Sequence, residues 1–107
     1  MAPIELAAVI TPKPGQAEKF LALFDKCVQY VQANEPYVLR YELHKGIKEL
    51  NGNERFVVLE KYESKEAMDK HMQAPPVQEM VNILGEGNLA DTQVIMTTKG
   101  PGIASRL

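Results

Sequence analysis

Apolar residues recur along the chain with two periods, and the switches between them delimit the elements. From Ile4 to Thr11, Ile4, Leu6, Ala8 and Ile10 alternate with Glu5, Ala7, Val9 and Thr11. Both sets are largely apolar, as in a strand covered on two sides. Thr11-Pro12-Lys13-Pro14-Gly15 stops it, and Pro14 suits the first turn of a helix. From Gln16 to Asn34 the period becomes helical, with Ala17, Phe20, Phe24, Cys27 and Val31 on one stripe, and Asn34-Glu35-Pro36 ends it. Tyr37 to Lys45 predicts a second strand, in which Leu39, Tyr41 and Leu43 alternate with Arg40, Glu42 and His44. The polar stretch Gly46 to Glu54 contains Asn51-Gly52 and predicts a hairpin turn. Arg55 to Glu63 predicts a third strand, with Phe56, Val58, Glu60 and Tyr62 on one face and Val57 and Leu59 on the other. Ser64 is placed to cap a short helix through Gln73, with Glu66 near its positive end. Pro75-Pro76 interrupts, after which Val77, Met80, Val81 and Leu84 predict a further helical stripe. Beyond Gly85-Glu86-Gly87-Asn88, Asp91 to Thr98 predicts a last strand built on Val94, Ile95 and Met96.

The order β-α-β-β-α-β predicts an α+β fold of the ferredoxin-like, split-βαβ type with an antiparallel sheet. The helical segments should cover one sheet face. The other carries Val57 and Leu59, and nothing within the chain is available to bury it. A second copy is the economical cover, so a homodimer is expected. Residues 1–98 read as a single domain and 99–107 as a flexible tail, because Lys99-Gly100-Pro101-Gly102 cannot continue a strand.

Composition narrows the function. A chain of 107 residues, 45% hydrophobic and 24% charged, has room for one ordinary globular core. The formal net charge of -2 leaves no basic footprint for nucleic acid or for an anionic membrane. The apolar runs are too short to span a bilayer, and Met1 to Ile10 lacks the basic start and the apolar length of a signal peptide. Cys27 is the only cysteine, which suits a reducing, cytoplasmic compartment, and its apolar neighbours Phe24, Val28 and Val31 predict a buried, inert thiol. His44 and His71 have no partners at ligand spacing, and no glycine-rich phosphate loop is present. No metal and no organic cofactor is expected.

Four stretches carry a resemblance. They are Lys13-Pro-Gly-Gln-Ala-Glu-Lys-Phe20, Glu35-Pro-Tyr-Val-Leu-Arg-Tyr-Glu42, Phe56-Val-Val-Leu-Glu-Lys-Tyr62 and Ser64-Lys-Glu-Ala-Met-Asp-Lys-His71. In order and spacing, from about Ile4 to Thr98, they resemble the antibiotic biosynthesis monooxygenase family of dimeric α+β barrels. The resemblance implies a cofactor-independent monooxygenase that uses O2 to oxidise a small hydrophobic cyclic or phenolic, quinol- or anthrone-like metabolite. The substrate itself supplies the electrons, so such a site needs an apolar slot, a base or hydrogen-bond partner, and exclusion of water. A slot of this kind would also serve a non-oxidative cyclase or isomerase, or a non-catalytic ligand-binding dimer.

The resemblance places His71 at the family's second-helix histidine, on a face shared with Ala67, Met68 and Met72, and Tyr62 where many relatives carry an aromatic residue. These two are the candidate catalytic residues, and His71→Ala is expected to reduce turnover while sparing stability. From the residues alone, a hydrogen-bonded core histidine is the usual outcome for His71, and Tyr62 reads at least as well as a packed strand-end tyrosine. Glu60 shares the face of Tyr62; it is either a buried carboxylate at the pocket or the ion-pair partner of Arg40. Phe24, Met68, Met72 and Met80 are candidate substrate-binding walls alongside Glu60, and His44 reads as surface. The haem-degrading branch of the superfamily uses an Asn in strand one, a Trp after strand three and a later helical His. The chain has none of these, which argues against haem degradation. Ser105, Arg106 and Leu107 resemble a peroxisomal address, so in a eukaryotic host a peroxisomal import receptor is a further expected partner.

Overall fold

The sheet is laid down by four strands whose inward residues are mostly apolar: β1 (Ile4–Pro12), β2 (Val38–Lys45), β3 (Phe56–Tyr62) and β4 (Ala90–Thr97). In the computed structural model, which describes residues 2–106, they pair antiparallel in the order β2-β3-β1-β4. Three helices lie on one face: α1 (Ala17–Asn34), α3 (Lys65–Met72) and α4 (Pro75–Gly85), while the short α2 (Lys48–Asn51) sits in the β2–β3 connection. This is the ferredoxin-like α+β arrangement that the element order predicts. Met1 and Leu107, the latter completing the Ser105-Arg106-Leu107 tripeptide, lie outside the described residues.

Register decides which side chains meet the helices. Ile10 pairs with Phe56, Ala8 with Val58, Leu6 with Glu60 and Ile4 with Tyr62, so the even positions of β1 and β3 share the covered face. Tyr41 opposite Glu60 and Leu43 opposite Val58 extend that face onto β2, and Val94 opposite Ala8 and Met96 opposite Leu6 extend it onto β4. The core is centred on Phe20, whose ring stacks between Phe24 at 6.2 Å and Phe56 at 5.8 Å. The opposite face presents Ala7, Val9, Val57 and Leu59, half-buried, with no element of this chain over them.

Local chemistry sets the helix ends. The Ser64 hydroxyl accepts the Ala67 amide at 3.1 Å, capping α3 where the serine is expected to. Pro75 and Pro76 begin α4 rather than stand outside it, because a proline in the first turn has no amide to lose. Pro14, expected in the first turn of α1, lies instead in the turn before it, and α1 starts at Ala17. Asn51-Gly52 is not a tight hairpin turn: Asn51 ends α2, and Gly52 caps it in the left-handed region at φ 81°, the other common use of the same dipeptide.

Two strand expectations also change. Leu39 does not alternate inward with Tyr41 and Leu43. A register shift between Val38 and Arg40 turns it outward, and it is 50% exposed. Val94, Ile95 and Met96 do build β4, but as exposed residues, since β4 is an edge strand that the helices do not fully cover. That incomplete cover opens the space described next.

Candidate functional site

A cavity of about 540 Å³ lies between the sheet and the helices, within the range of small-molecule sites. Its floor is Leu6, Ala8 and Val58, and its roof is Phe24, Val77, Met80 and Leu84. Small Ala8 at the centre of the floor leaves the depth. Met72, Val81, Val94 and Met96 rim it, each of them exposed. Tyr41, Glu60 and His71 are the ionisable groups in its wall, and neither lysine nor arginine lines it.

His71 is 1% exposed and Glu35 3%, and His71 Nδ1 lies 2.7 Å from Glu35 Oε1. Glu35 caps the C-terminus of α1, and its carboxylate turns inward beneath α3 to accept the Nδ1 proton. Its other oxygen accepts the Tyr37 hydroxyl at 2.9 Å, and the Lys70 ammonium lies 4.9 Å from the centre of the Tyr37 ring. Among the described residues no buried side-chain nitrogen or oxygen lacks a hydrogen-bond partner. Nε2 of His71, which makes no hydrogen bond, is therefore reached from the cavity that His71 lines. Tyr41 meets the ring edge-on at 5.0 Å and Tyr62 at a tilt at 5.3 Å.

Glu60 enters from the sheet. Its carboxylate accepts the Tyr62 hydroxyl. Burial raises the Glu60 pKa above the ordinary carboxylate value, opposed by that hydrogen bond and by the attraction of His71. Arg40 is not its partner: Arg40 pairs with Glu42 at 3.0 Å on the opposite sheet face, and Glu42 also meets His44 at 3.0 Å. Of the two expectations for Glu60, the carboxylate at the pocket matches the geometry, half-buried rather than fully so. Burial pushes the Cys27 thiol up to about 11 and raises the Tyr41 hydroxyl, with which it hydrogen-bonds. Cys27 is thus buried, as its neighbours predict, in surroundings that disfavour the thiolate.

The structure brings His71, Glu60, Phe24, Met68, Met72 and Met80 to one cavity wall or another. Tyr62 is apart from them. It is fully buried, does not line the cavity, and reaches the site only through Glu60 and the ring of His71. His44 is exposed, as expected of a surface residue. Sequence reasoning missed Glu35 and Tyr41. Tyr41 carried a signal, since it belongs to the inward alternation of β2. Glu35 carried only a weak one, as a carboxylate beside a proline at a helix end. Among the described residues no group of three or more His, Cys, Asp or Glu side chains could hold a metal ion, and no helix is long and apolar enough to cross a membrane.

The family model for antibiotic biosynthesis monooxygenase matches residues 3–83 of the sequence. Similar solved structures include PA3566 of Pseudomonas aeruginosa, at 20% identity and a TM-score of 0.78, covering 94% of this chain and 97% of that one. Rv0793 of Mycobacterium tuberculosis is 23% identical with a TM-score of 0.78, over 97% of this chain and all of the other (100%). A protein of Caulobacter crescentus CB15, provisionally named an antibiotic biosynthesis monooxygenase, is 22% identical with a TM-score of 0.78, over 94% and 92% of the two chains. These likenesses show the fold. No curated protein matches the sequence.

Two substitutions in the site should shift stability in opposite directions. His71→Ala leaves the Glu35 carboxylate buried without its partner and should cost about 3–5 kcal/mol, where the sequence alone leads one to expect little loss. Glu60 has a raised folded-state pKa, so its ionisation opposes folding. Its cost is absent below the unfolded value of about 4.3 and appears as pH rises through the folded value. Glu60→Gln should therefore gain stability relative to the parent as pH goes from 4 (~) to neutral. Thermal midpoints of both variants across pH check this; a Glu60→Gln difference independent of pH, or a His71→Ala loss below about 1 kcal/mol, would contradict the assignments.

Proposed function

This chain belongs to the antibiotic biosynthesis monooxygenase family, and on that premise we propose that it is a cofactor-independent monooxygenase oxidising a small hydrophobic cyclic or phenolic metabolite with O2. The observation that carries the reading is the cavity itself: apolar walls around a few polar groups, with the buried His71 and the half-buried Glu60 both in its lining. An activated methylene or phenolic substrate gives up a proton there, and its ring system delocalises the electron pair left behind. The electron-rich anion reduces O2 and bonds to it, and the resulting hydroperoxide loses water. A methylene thus becomes a carbonyl, one oxygen atom of O2 entering the product and the other leaving as water. The apolar walls keep bulk water from quenching the anion. His71 Nε2 and the Glu60 carboxylate are the groups that can hold or move the proton, and Tyr62 positions Glu60 without touching substrate. Phe24, Met68, Met72 and Met80 supply the adaptable apolar contacts.

The same reading includes a homodimer. Ala7, Val9, Val57 and Leu59 form an apolar strip on the helix-free face, and Ile95, 50% exposed, continues it onto β4. A second copy laid on this strip would remove it from water.

Incubation with a panel of quinols and anthrones, recording oxygen uptake and product mass, tests the activity. Uptake of one O2 per turnover, with a product bearing one more oxygen and two fewer hydrogens, is expected for a methylene substrate. An isomeric or dehydrated product without oxygen uptake would instead indicate a cyclase or isomerase, and binding without turnover a ligand carrier. Light scattering at micromolar concentration should give about twice the 11.9 kDa chain mass. A species that stays monomeric on concentration would remove the dimer from the proposal.

A further inference from the structure

One row of the sheet crosses the cavity from its polar wall to its open edge. Antiparallel pairing sets Tyr41 beside Glu60, Glu60 beside Leu6 and Leu6 beside Met96, and all four residues line the cavity. Neighbouring strands lie about 4.8 Å apart, so the Glu60 and Met96 backbones are separated by about 10 Å across the floor. The ionisable groups belong to the β2–β3 end of that row, where the His71 ring lies 5.0 Å from the Tyr41 ring. The next row, Leu43, Val58, Ala8 and Val94, is apolar throughout. Thr92 is the one other polar side chain in the lining, and it is exposed on the β4 edge. The lip of the cavity carries Met72, Val81, Val94 and Met96, which are 43%, 41%, 58% and 54% exposed. An apolar lip that continues an apolar floor marks a surface used for binding.

We infer that the cavity takes an amphiphile: a neutral hydroxylated ring at the polar wall, carrying a hydrocarbon chain that runs over Leu6 and Ala8 and out across the β4 lip. The inference rests on the functional reading above for the ring and adds the chain to it. The head is uncharged, because Glu60 in the floor repels an anion and no lysine or arginine lines the cavity to balance one. A ring hydroxyl suits this wall. The Glu60 oxygen not engaged by Tyr62 makes no hydrogen bond and, since no buried side-chain oxygen is left unpartnered, is open to the cavity, where it accepts from a hydroxyl. The floor from Glu60 to the lip is short, and a ring seated at Glu60 takes up most of it. A substituent on the far side of the ring therefore leaves the floor and meets Val81, Val94 and Met96 rather than water. Each methylene laid there removes apolar surface of both chain and lip from solvent. Met72 and Met96 are unbranched and flexible, so they adapt to a chain of no fixed shape. A compact ring without a chain would leave the whole lip in water.

The test is a binding series under argon, in which phenol, para-butylphenol, para-hexylphenol and para-octylphenol are titrated into the full-length protein by calorimetry. Affinity should rise about two- to fourfold for each methylene added. Val81→Asp and Val94→Asp put a charge on the lip at exposed positions. Each should leave phenol affinity within about twofold of the parent and remove most of the gain from the chain, and circular dichroism establishes that each is folded. Decanoate, which has a chain but an anionic head, should bind about tenfold or more weakly than octylphenol. Affinity indifferent to chain length in the parent overturns the inference, whether the ring alone fills the site or a second copy covers the lip. A chain-length gain undiminished in both folded variants overturns it too, as does decanoate binding as tightly as octylphenol. Oxygen uptake in air separates this inference from the monooxygenase reading. Chain-dependent binding without oxygen uptake keeps the amphiphile site and defeats the oxygenase, whereas oxygen uptake on unsubstituted quinols with no chain preference does the reverse.

Discussion

The buried hydrogen bond between Glu35 and His71 is the constraint on which the site depends. Removing a carboxylate from water costs several kcal/mol (roughly) unless it is paired and its remaining lone pairs are used, and here both oxygens are engaged. The bond ties the residue after α1 to the last turn of α3, elements 36 residues apart in the sequence, and so fixes where α3 rests on β2 and β3. With Nδ1 committed, the imidazole has one way to face the cavity. Tyr41 and Tyr62 close on the ring from the sheet and remove its remaining freedom.

Around that anchor the cavity follows from the register of the sheet. Leu6, Ala8, Val58 and Glu60 are neighbours on one face because β1 and β3 pair antiparallel with even positions aligned. α1 and α4 pack against each other above them, and they leave part of β4 without a roof. Val94 and Met96, 58% and 54% exposed, are thus both strand residues and the rim of the opening. The single carboxylate in the floor is tolerated because Tyr62, buried behind it, donates to it.

Much of this was legible in the sequence, and the rest was not for identifiable reasons. Alternation in β1 and β3 and the helical stripes gave the element order, and the inward face of β3 put Glu60 and Tyr62 together. The histidine and the methionine set lay on helical faces that point toward the sheet, so His71, Met68, Met72 and Met80 could be grouped before any contact was known. Glu35 could not be found this way. Periodicity does not reveal that a charged residue at a helix end turns inward, and its partner lies on a later helix. Leu39 misled because one shifted pair in the ladder reverses the alternation. Tyr62 was placed near His71 correctly but on the wrong side of the wall. Strand-face assignment cannot distinguish a residue that lines a cavity from one that lies beyond its end.

The claim that Glu35 holds His71 through a hydrogen bond at Nδ1 is open to direct observation. The chain has two histidines, and His44 is exposed on the opposite sheet face, so nitrogen-15 NMR of the imidazole rings resolves them. His71 should carry a proton on Nδ1, slow to exchange with water because it is donated to the buried Glu35 carboxylate. A neutral His71 protonated on Nε2 and bare at Nδ1 would contradict the account.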